Sequence, residues 1–261
     1  MAKRSMAYNV RQAFSLIVLC YLCTWSGLLH AERIKAVHLV EEADWPPFTN
    51  QKLGKAESGL SFDLMQAIFS RLDIAVDISL YPQKRMLLNV YEGNFDGVTM
   101  LSKNTEREKY LAFSDPVMAK LGQVYYRADR AHKLEWQTYE DLRGLTIGIT
   151  RGHNYGAAFE DARQRGGFNV VEVTRVEQSF YLLAAGRVDA VFCIEMTANH
   201  ILQSNRFNRQ IVPAETPYYE GSYHIALSRK SAAGELMADI NATIAAMQAS
   251  GDIDAILAKY R

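Results

Sequence analysis

One short pattern occurs twice in this chain and constrains its architecture more than any other. Gly93-Asn94-Phe95-Asp96-Gly97-Val98 and Gly186-Arg187-Val188-Asp189-Ala190-Val191 each follow an apolar-periodic helical stretch and open onto a β-prone run. Both read as helix, Gly-x-x-Asp turn, strand, 93 residues apart. A unit that returns once at such a distance is weak internal symmetry between two lobes, not a repeat array.

The order of the other elements agrees. Ile34 to Glu41 predicts a first strand, and Gly59 to Leu72 a helix with Leu64, Ile68 and Leu72 as its apolar stripe. A strand over Ala75–Leu80 and a helix ending near Tyr91 lead to the first Gly-x-x-Asp turn. Past it come strands over Gly122–Arg127 and Leu145–Ile149, a strand-to-helix turn over Gly152–Gly156, and a helix over Val176–Ala185. Glu220–Ser228 reads as another long strand. An amphipathic helix over Ser231–Met247, with Leu236, Ile240, Ile244 and Met247 on its apolar face, and a final segment Gly251–Tyr260 complete the chain. This alternation predicts two α/β lobes: residues 32–121 with 222–261, and residues 122–221. The two crossing strands form the hinge, and a ligand lies in the cleft between strand ends.

Residues 1–31 carry Lys3, Arg4 and Arg11 and no acid, then an apolar run from Phe14 to Leu29, then Leu29-His30-Ala31, similar to a small-residue cleavage site. That order predicts a cleaved secretory signal peptide and hence a periplasmic protein. The apolar run is broken by Ser15, Thr24, Ser26 and Gly27 and falls short of the roughly 20 residues needed to span a membrane. An uncleaved anchor is the competing reading. A lipoprotein fits less well, because Cys20 and Cys23 each follow a leucine. Cys193 alone remains after cleavage, in an apolar run that suits a buried small hydrophobe, so no internal disulfide is expected. The residues beyond 31 hold 26 basic and 29 acidic side chains, a net of −3, and nothing in that balance points to nucleic acid.

The stretch Gly93–Pro116 carries the chemistry. A strand through Phe95, Val98 and Met100 gives way to a polar loop, Ser102–Asn104. A short helical turn follows over Thr105–Tyr110, with Thr105 at its start and Glu106 in its first turn. Arg107 therefore lies past the C-terminal end of a strand and near a helix N-terminus, where open α/β sheets bind ligands. Backbone N–H groups there favour an anion, and a guanidinium clamps a carboxylate with two parallel bonds. The same spacing also suits a solvated arginine in a charged turn.

With Phe113-Ser114-Asp115-Pro116 six residues beyond Arg107, this stretch resembles the signature of family 3 bacterial solute-binding proteins, the periplasmic receptors of polar amino-acid ABC transporters. The resemblance implies a two-lobed type II periplasmic-binding-protein fold with two hinge-crossing strands. It also implies that Arg107 holds a ligand α-carboxylate, with Ser102 and Asn104 in the polar loop before it. Asp44-Trp45-Pro46-Pro47-Phe48 resembles the family's aromatic-x-Pro-Phe loop, whose two prolines here forbid helix. Trp45 is the aromatic that would cover the ligand, although Trp45 and Phe48 equally suit a cap on the core. Gly59–Leu64 resembles Gly-Phe-Asp-x-Asp-Leu, with Ser61 in place of the first Asp, which meets a side-chain ammonium in basic-amino-acid receptors. Tyr81 is the aromatic nearest the family's stacking position beside Gln83. Arg85 is a second cation near the cleft, or else a solvated helix residue. His153 and Asn154 stand where relatives carry Ser or Thr after Gly152. Ile194 occupies the place of the ammonium-binding Asp, and Glu195, one residue on, either substitutes for it or caps a helix. The chain's end resembles the family's Gly-x-x-x-x-Ile-x-x-Lys-Tyr close.

Three function classes follow from this reading. The first is a monomeric receptor that captures a small polar ligand, an amino acid or related carboxylate, for an ABC permease in the inner membrane. The second is an enzyme on the same fold, similar to the periplasmic cyclohexadienyl dehydratases, with His153 and Glu195 as the available acid and base. The third is a sensor without a transport role. No Ser-His-Asp arrangement, metal-ligand spacing or phosphate loop is visible, so no catalytic residue, metal or cofactor is expected.

Overall fold

The computed structural model describes residues 33–50, 54–133, 136–204, 207 and 210–260. Residues 36–261 form one compact unit; of those before it only 33–35 are described, without regular secondary structure. The expected signal peptide, with Cys20 and Cys23, lies outside the described residues. Among the described residues no helix is long and apolar enough to cross a membrane.

The chain begins with β1 (Ala36–Glu42), β2 (Gly54–Lys55), α1 (Leu60–Arg71), β3 (Ala75–Tyr81), α2 (Gln83–Glu92), β4 (Gly97–Leu101), α3 (Thr105–Glu108) and β5 (Leu111–Phe113). β6 (Met118–Arg127) leads through short 3-10 turns to β7 (Thr146–Thr150), α4 (Ala157–Arg165), β8 (Asn169–Val173) and α5 (Val176–Ala184). Next come β9 (Ala190–Ile194), α6 (Glu195–Ser204), β10 (Ile211–Pro213) and β11 (Tyr219–Ser228), and the chain closes with α7 (Met237–Ser250) and α8 (Asp252–Leu257).

Two parallel triplets organise the sheet. β1 lies between β3 and β4, with Val40 opposite Ser79 and Val98. β7 lies between β8 and β9, with Gly148 opposite Val171 and Val191. The long antiparallel strands β6 and β11 connect them. β11 pairs β6 through its first half and β4 and β5 through its second, while β6 continues onto β9 and β10. The strand order is β2-β3-β1-β4-β11-β6-β9-β7-β8. β6 begins at Met118, before the expected Gly122, because residues Met118–Leu121 pair with β11. Lys120 interrupts the apolar run there and hides the start of the strand from periodicity.

The repeated Gly-x-x-Asp turn has one structural job at both places. Gly93 (φ 84°) and Gly186 (φ 66°) take the left-handed conformation that ends a helix. Three residues on, the Asp96 N–H donates to the His38 carbonyl at 2.8 Å, and the Asp189 N–H to the Thr146 carbonyl at 2.7 Å. The carboxylates return the bond, accepting the His38 N–H at 2.7 Å and the Thr146 N–H at 2.9 Å. Each aspartate therefore fastens the start of its strand to the central strand of its triplet.

Helix α1 buries Leu60, Leu64 and Ile68, with Met65 and Phe69 beside them, as a stripe at helical spacing. It packs on α7 and α8. Gly59 precedes it at φ 120°, and any Cβ there would come within 2.4 Å of the Phe48 carbonyl oxygen, so glycine lets the Trp45–Phe48 loop rest on the start of this helix. Aromatics fill the core around β7 and β9 (Trp136, Tyr155, Phe159, Phe192), whereas the core over β1 and β4 is mainly aliphatic, with Met86, Val90 and Leu111. The helix expected from Ser231 starts as a 3-10 turn, Ala232–Leu236, with Ser231 Oγ accepting the Ala233 N–H. Only from Met237 is it α-helical; Gly234 is a poor helix former and weakens the first turn.

Candidate functional site

The carboxyl ends of β1, β4, β7 and β9 converge on one cavity. Its free volume is about 30 Å³, enough for one or two waters. From β1 come Glu41 and Glu42, and from the loop after it Trp45. The Trp45 ring stacks on Phe48 at 4.0 Å between centroids and meets Tyr223 and His153 edge-on at 5.7 and 6.1 Å. Thr49 holds the loop by accepting the Trp45 N–H and donating to the Glu42 carbonyl.

Beyond β4, Asn104 is the N-cap of α3: its Oδ1 accepts the Arg107 N–H at 2.9 Å. The helix starts at Thr105 as expected and ends at Glu108, two residues before the expected Tyr110. α3 has only four residues, so it supplies no appreciable helix dipole, and the positive charge at this place is the guanidinium itself. Arg107 is buried, and its Nη1 donates to the Ser102 carbonyl at 2.7 Å and to Ser102 Oγ at 2.9 Å. Burial holds its pKa below the ordinary arginine range, with the hydroxyl of Tyr91 beside it.

Beyond β7, Gly152 at φ 86° turns the chain; a Cβ there would lie 2.7 Å from Gln83 Oε1 at the start of α2. His153 Nε2 lies 3.0 Å from each carboxylate oxygen of Glu42. Asn154 Nδ2 donates to Ser102 Oγ at 3.3 Å, and the Asn154 carbonyl accepts from Lys120 Nζ at 3.1 Å. At the rim Arg175 reaches Asp44 at 3.4 Å. Loops of the β1–β3–β4 triplet are therefore fastened to loops of the β7–β8–β9 triplet across the cavity.

Two buried groups here, Glu41 and Lys120, are displaced to near neutrality. Burial pushes the Glu41 carboxyl up to about 7, against hydrogen bonds from Thr99, the Glu42 N–H and Ser61 that favour the carboxylate. Burial, assisted by the charge of Arg107, pushes the Lys120 amine down to about 7. Three polar atoms of lining residues, Trp45 Nε1, Gln83 Oε1 and Thr197 Oγ1, are buried without a protein partner.

The family model for bacterial extracellular solute-binding proteins, family 3, matches residues 37–261. The chain belongs to that family. Among its relatives is the Vibrio harveyi protein named "Putative amino-acid ABC transporter-binding protein PatH", 23% identical over 217 residues that make up 82% of this chain and 84% of that one. Two solved structures share its type II periplasmic-binding-protein fold. One is an ancestral arginine-binding protein bound to arginine, with TM-score 0.73 and 24% identity over 86% of this chain and 97% of that one. The other is the amino acid ABC transporter substrate-binding protein AbpA of Streptococcus pneumoniae, bound to L-arginine, with TM-score 0.72 and 22% identity over 86% and 94%.

Of the residues expected to form the site of this solute-binding protein, Arg107, Trp45, Ser102, His153 and Asn154 line the cavity together. Asn104 stands one step back, holding the Arg107 backbone. Tyr81 and Arg85 are not among the lining residues: Tyr81 packs on Phe95 at 5.6 Å, and the Arg85 guanidinium lies over the Tyr81 ring at 5.4 Å. Glu195 opens α6 and is exposed, facing a separate groove with Met118, Glu220 and Tyr260, because β9 ends at Ile194, which takes the lining position itself. Ser61 donates to Glu41 Oε2 at 3.0 Å, so a carboxyl from β1 lies beside this position.

Glu41, Glu42, Lys120 and Tyr223 were not expected at the site. The two acids had a local signal, since they end a strand at the same sheet edge as Arg107. Lys120 had a weaker one, as a lone cation inside an apolar strand. Tyr223 had none, because its place depends on the register of β11 on β6.

Proposed function

We propose that this solute-binding protein captures a small polar ligand bearing a carboxylate, an amino acid or a related compound, in the periplasm. A cleaved signal peptide at residues 1–31 directs its export, and the monomer passes its ligand to an ABC permease in the inner membrane. Residues 32–121 with 222–261 form one lobe and residues 122–221 the other, closing over the ligand by bending at β6 and β11. Arg107 receives the carboxylate. The observation that carries this reading is a guanidinium buried at a cavity wall, oriented by Ser102, with no carboxylate oxygen within 4.0 Å among the described residues. A buried charge so placed requires an ionic partner from outside the chain. Trp45 covers the ligand, and Ser102, His153 and Asn154 supply polar contacts from both sides.

Calorimetric titration with a panel of amino acids and small carboxylates tests this. The best ligand of the panel binds Arg107→Ala on the order of a hundred- to several-thousand-fold more weakly, corresponding to roughly 3–5 kcal/mol. Arg107→Lys is also weakened, because an ammonium cannot make the two-pronged bond. Parental affinity in Arg107→Ala, with folding verified by circular dichroism, would reject the reading.

A further inference from the structure

Lys120 sits in the crossing strand β6 and is 5% exposed. It lines the same cavity as Arg107. Its Nζ donates to one acceptor, the Asn154 carbonyl, and lies over the rings of Tyr219 and Tyr223 at 4.6 and 5.6 Å. Among the described residues no carboxylate oxygen lies within 4.0 Å of Lys120 or of Arg107. Both acids of the cavity already have partners: Glu42 faces His153 with both oxygens, and Glu41 is saturated by Thr99, Ser61 and the Glu42 N–H. Among the described residues the site thus holds two buried basic groups without a carboxylate partner and two acids that are already hydrogen-bonded. Tyrosine faces and one carbonyl offset only part of the cost of burying an ammonium. A lysine kept in this place destabilises the free protein, and a second anion on the ligand removes that cost.

We propose that Lys120 is a second anion-binding residue of the cavity, and that the ligand carries two acidic groups, one on Arg107 and one on Lys120. Small dicarboxylates and acidic amino acids are the matching class. This rests on the reading that Arg107 takes a ligand carboxylate. Lys120 then decides between an acid and its amide, a choice that Arg107 cannot make.

The test is calorimetric titration of L-glutamate against L-glutamine, L-aspartate against L-asparagine, and succinate against succinamate. Each pair differs in a single carboxylate replaced by an amide. In at least one pair the acid binds the parent protein roughly thirty- to several-thousand-fold tighter. Lys120→Met brings that ratio to within a few-fold. Lys120→Gln, which keeps a donor for the Asn154 carbonyl, does the same and serves if the methionine variant fails to fold. A lysine that only packs between tyrosines would leave the ratio unchanged on substitution, and that result overturns the proposal. Equal binding of acid and amide by the parent, with both lost in Arg107→Ala, also overturns it and leaves the Arg107 reading standing. Binding of no member of the panel overturns both.

Discussion

At the start of β4, Asp96 ties its strand to His38 of β1; at the start of β9, Asp189 ties its strand to Thr146 of β7 in the same way. At the opposite ends of these strands the two triplets no longer resemble each other. β1 and β4 end in Glu41, Glu42 and the loop to Arg107, whereas β7 and β9 end in Thr150, Cys193 and Ile194. The buried charge of the cavity comes from the first triplet and from the crossing strand β6; the second contributes His153, Asn154 and an aromatic wall. A strand start that only builds the sheet has one good solution and is reused. A strand end that faces ligand is free to diverge, because changes there do not disturb the pairing beneath.

That contrast is open to attack at several points. The largest effects on stability are expected at Glu41 and Lys120. The Glu41 carboxyl is raised to about 7 in the folded protein from an unfolded value near 4.5. Between those values the folded state binds more protons, so Glu41 makes stability fall as pH rises from 4.5 to 7, by roughly 3 kcal/mol. Lys120, lowered to about 7 from 10.5, makes stability rise from pH 7 to 10.5. Urea denaturation across pH should lose the first slope in Glu41→Gln and the second in Lys120→Met. In the second triplet the buried Cys193 thiol and Tyr155 phenol are pushed upward by burial and lie outside the lower window. An unchanged fall below pH 7 in Glu41→Gln would mean that the first triplet is not the seat of the titration.

Next are the paired aspartates. Asp96→Ala and Asp189→Ala each remove a charged acceptor from a strand N–H, at about 1–3 kcal/mol. Denaturation midpoints should place them within about 1 kcal/mol of each other. A large cost at one and none at the other would break the equivalence of the two turns.

Tyr155→Phe probes the second triplet alone. The hydroxyl accepts the buried Thr150 N–H at 2.7 Å, so its loss should cost about 1–2 kcal/mol in thermal or chemical unfolding. The smallest effect belongs to the rim. Arg175 and Asp44 are substantially exposed, and Arg175→Ala should change stability by about 0.5 kcal/mol or less in the same assay. A larger loss would mean that the rim contributes to holding the two triplets together as much as the cavity does.

Much of this was legible in the chain because the signals were local. The Gly-x-x-Asp turns, the stripe of α1, the Trp45-Pro46-Pro47-Phe48 loop and the spacing from Arg107 to Pro116 each lie within a few residues. Arg107 could be placed at the cavity by its position past a strand end, and Trp45 by the resemblance of its loop to the family's aromatic-x-Pro-Phe. Tyr81 and Arg85 could not, since nothing local says which way a residue at a strand-to-helix junction turns, and these two found each other instead. Glu195 was displaced by a single residue: whether Ile194 or Glu195 faces the cavity depends on where β9 stops.

The sequence by itself determined the α/β alternation, the repeated Gly-x-x-Asp turn and the cation past the end of β4. Only the tertiary structure decided what stands opposite that cation. Lys120 and Tyr223 reach the cavity through the pairing of β6 with β11, with Tyr223 opposite Met118, and His153 meets Glu42 across 111 residues of sequence. Local periodicity records which face of a strand is apolar, but contact between distant segments depends on the register and packing of the whole sheet. The buried charges therefore acquire their partners, and their displaced pKa values, only once the chain has closed around them.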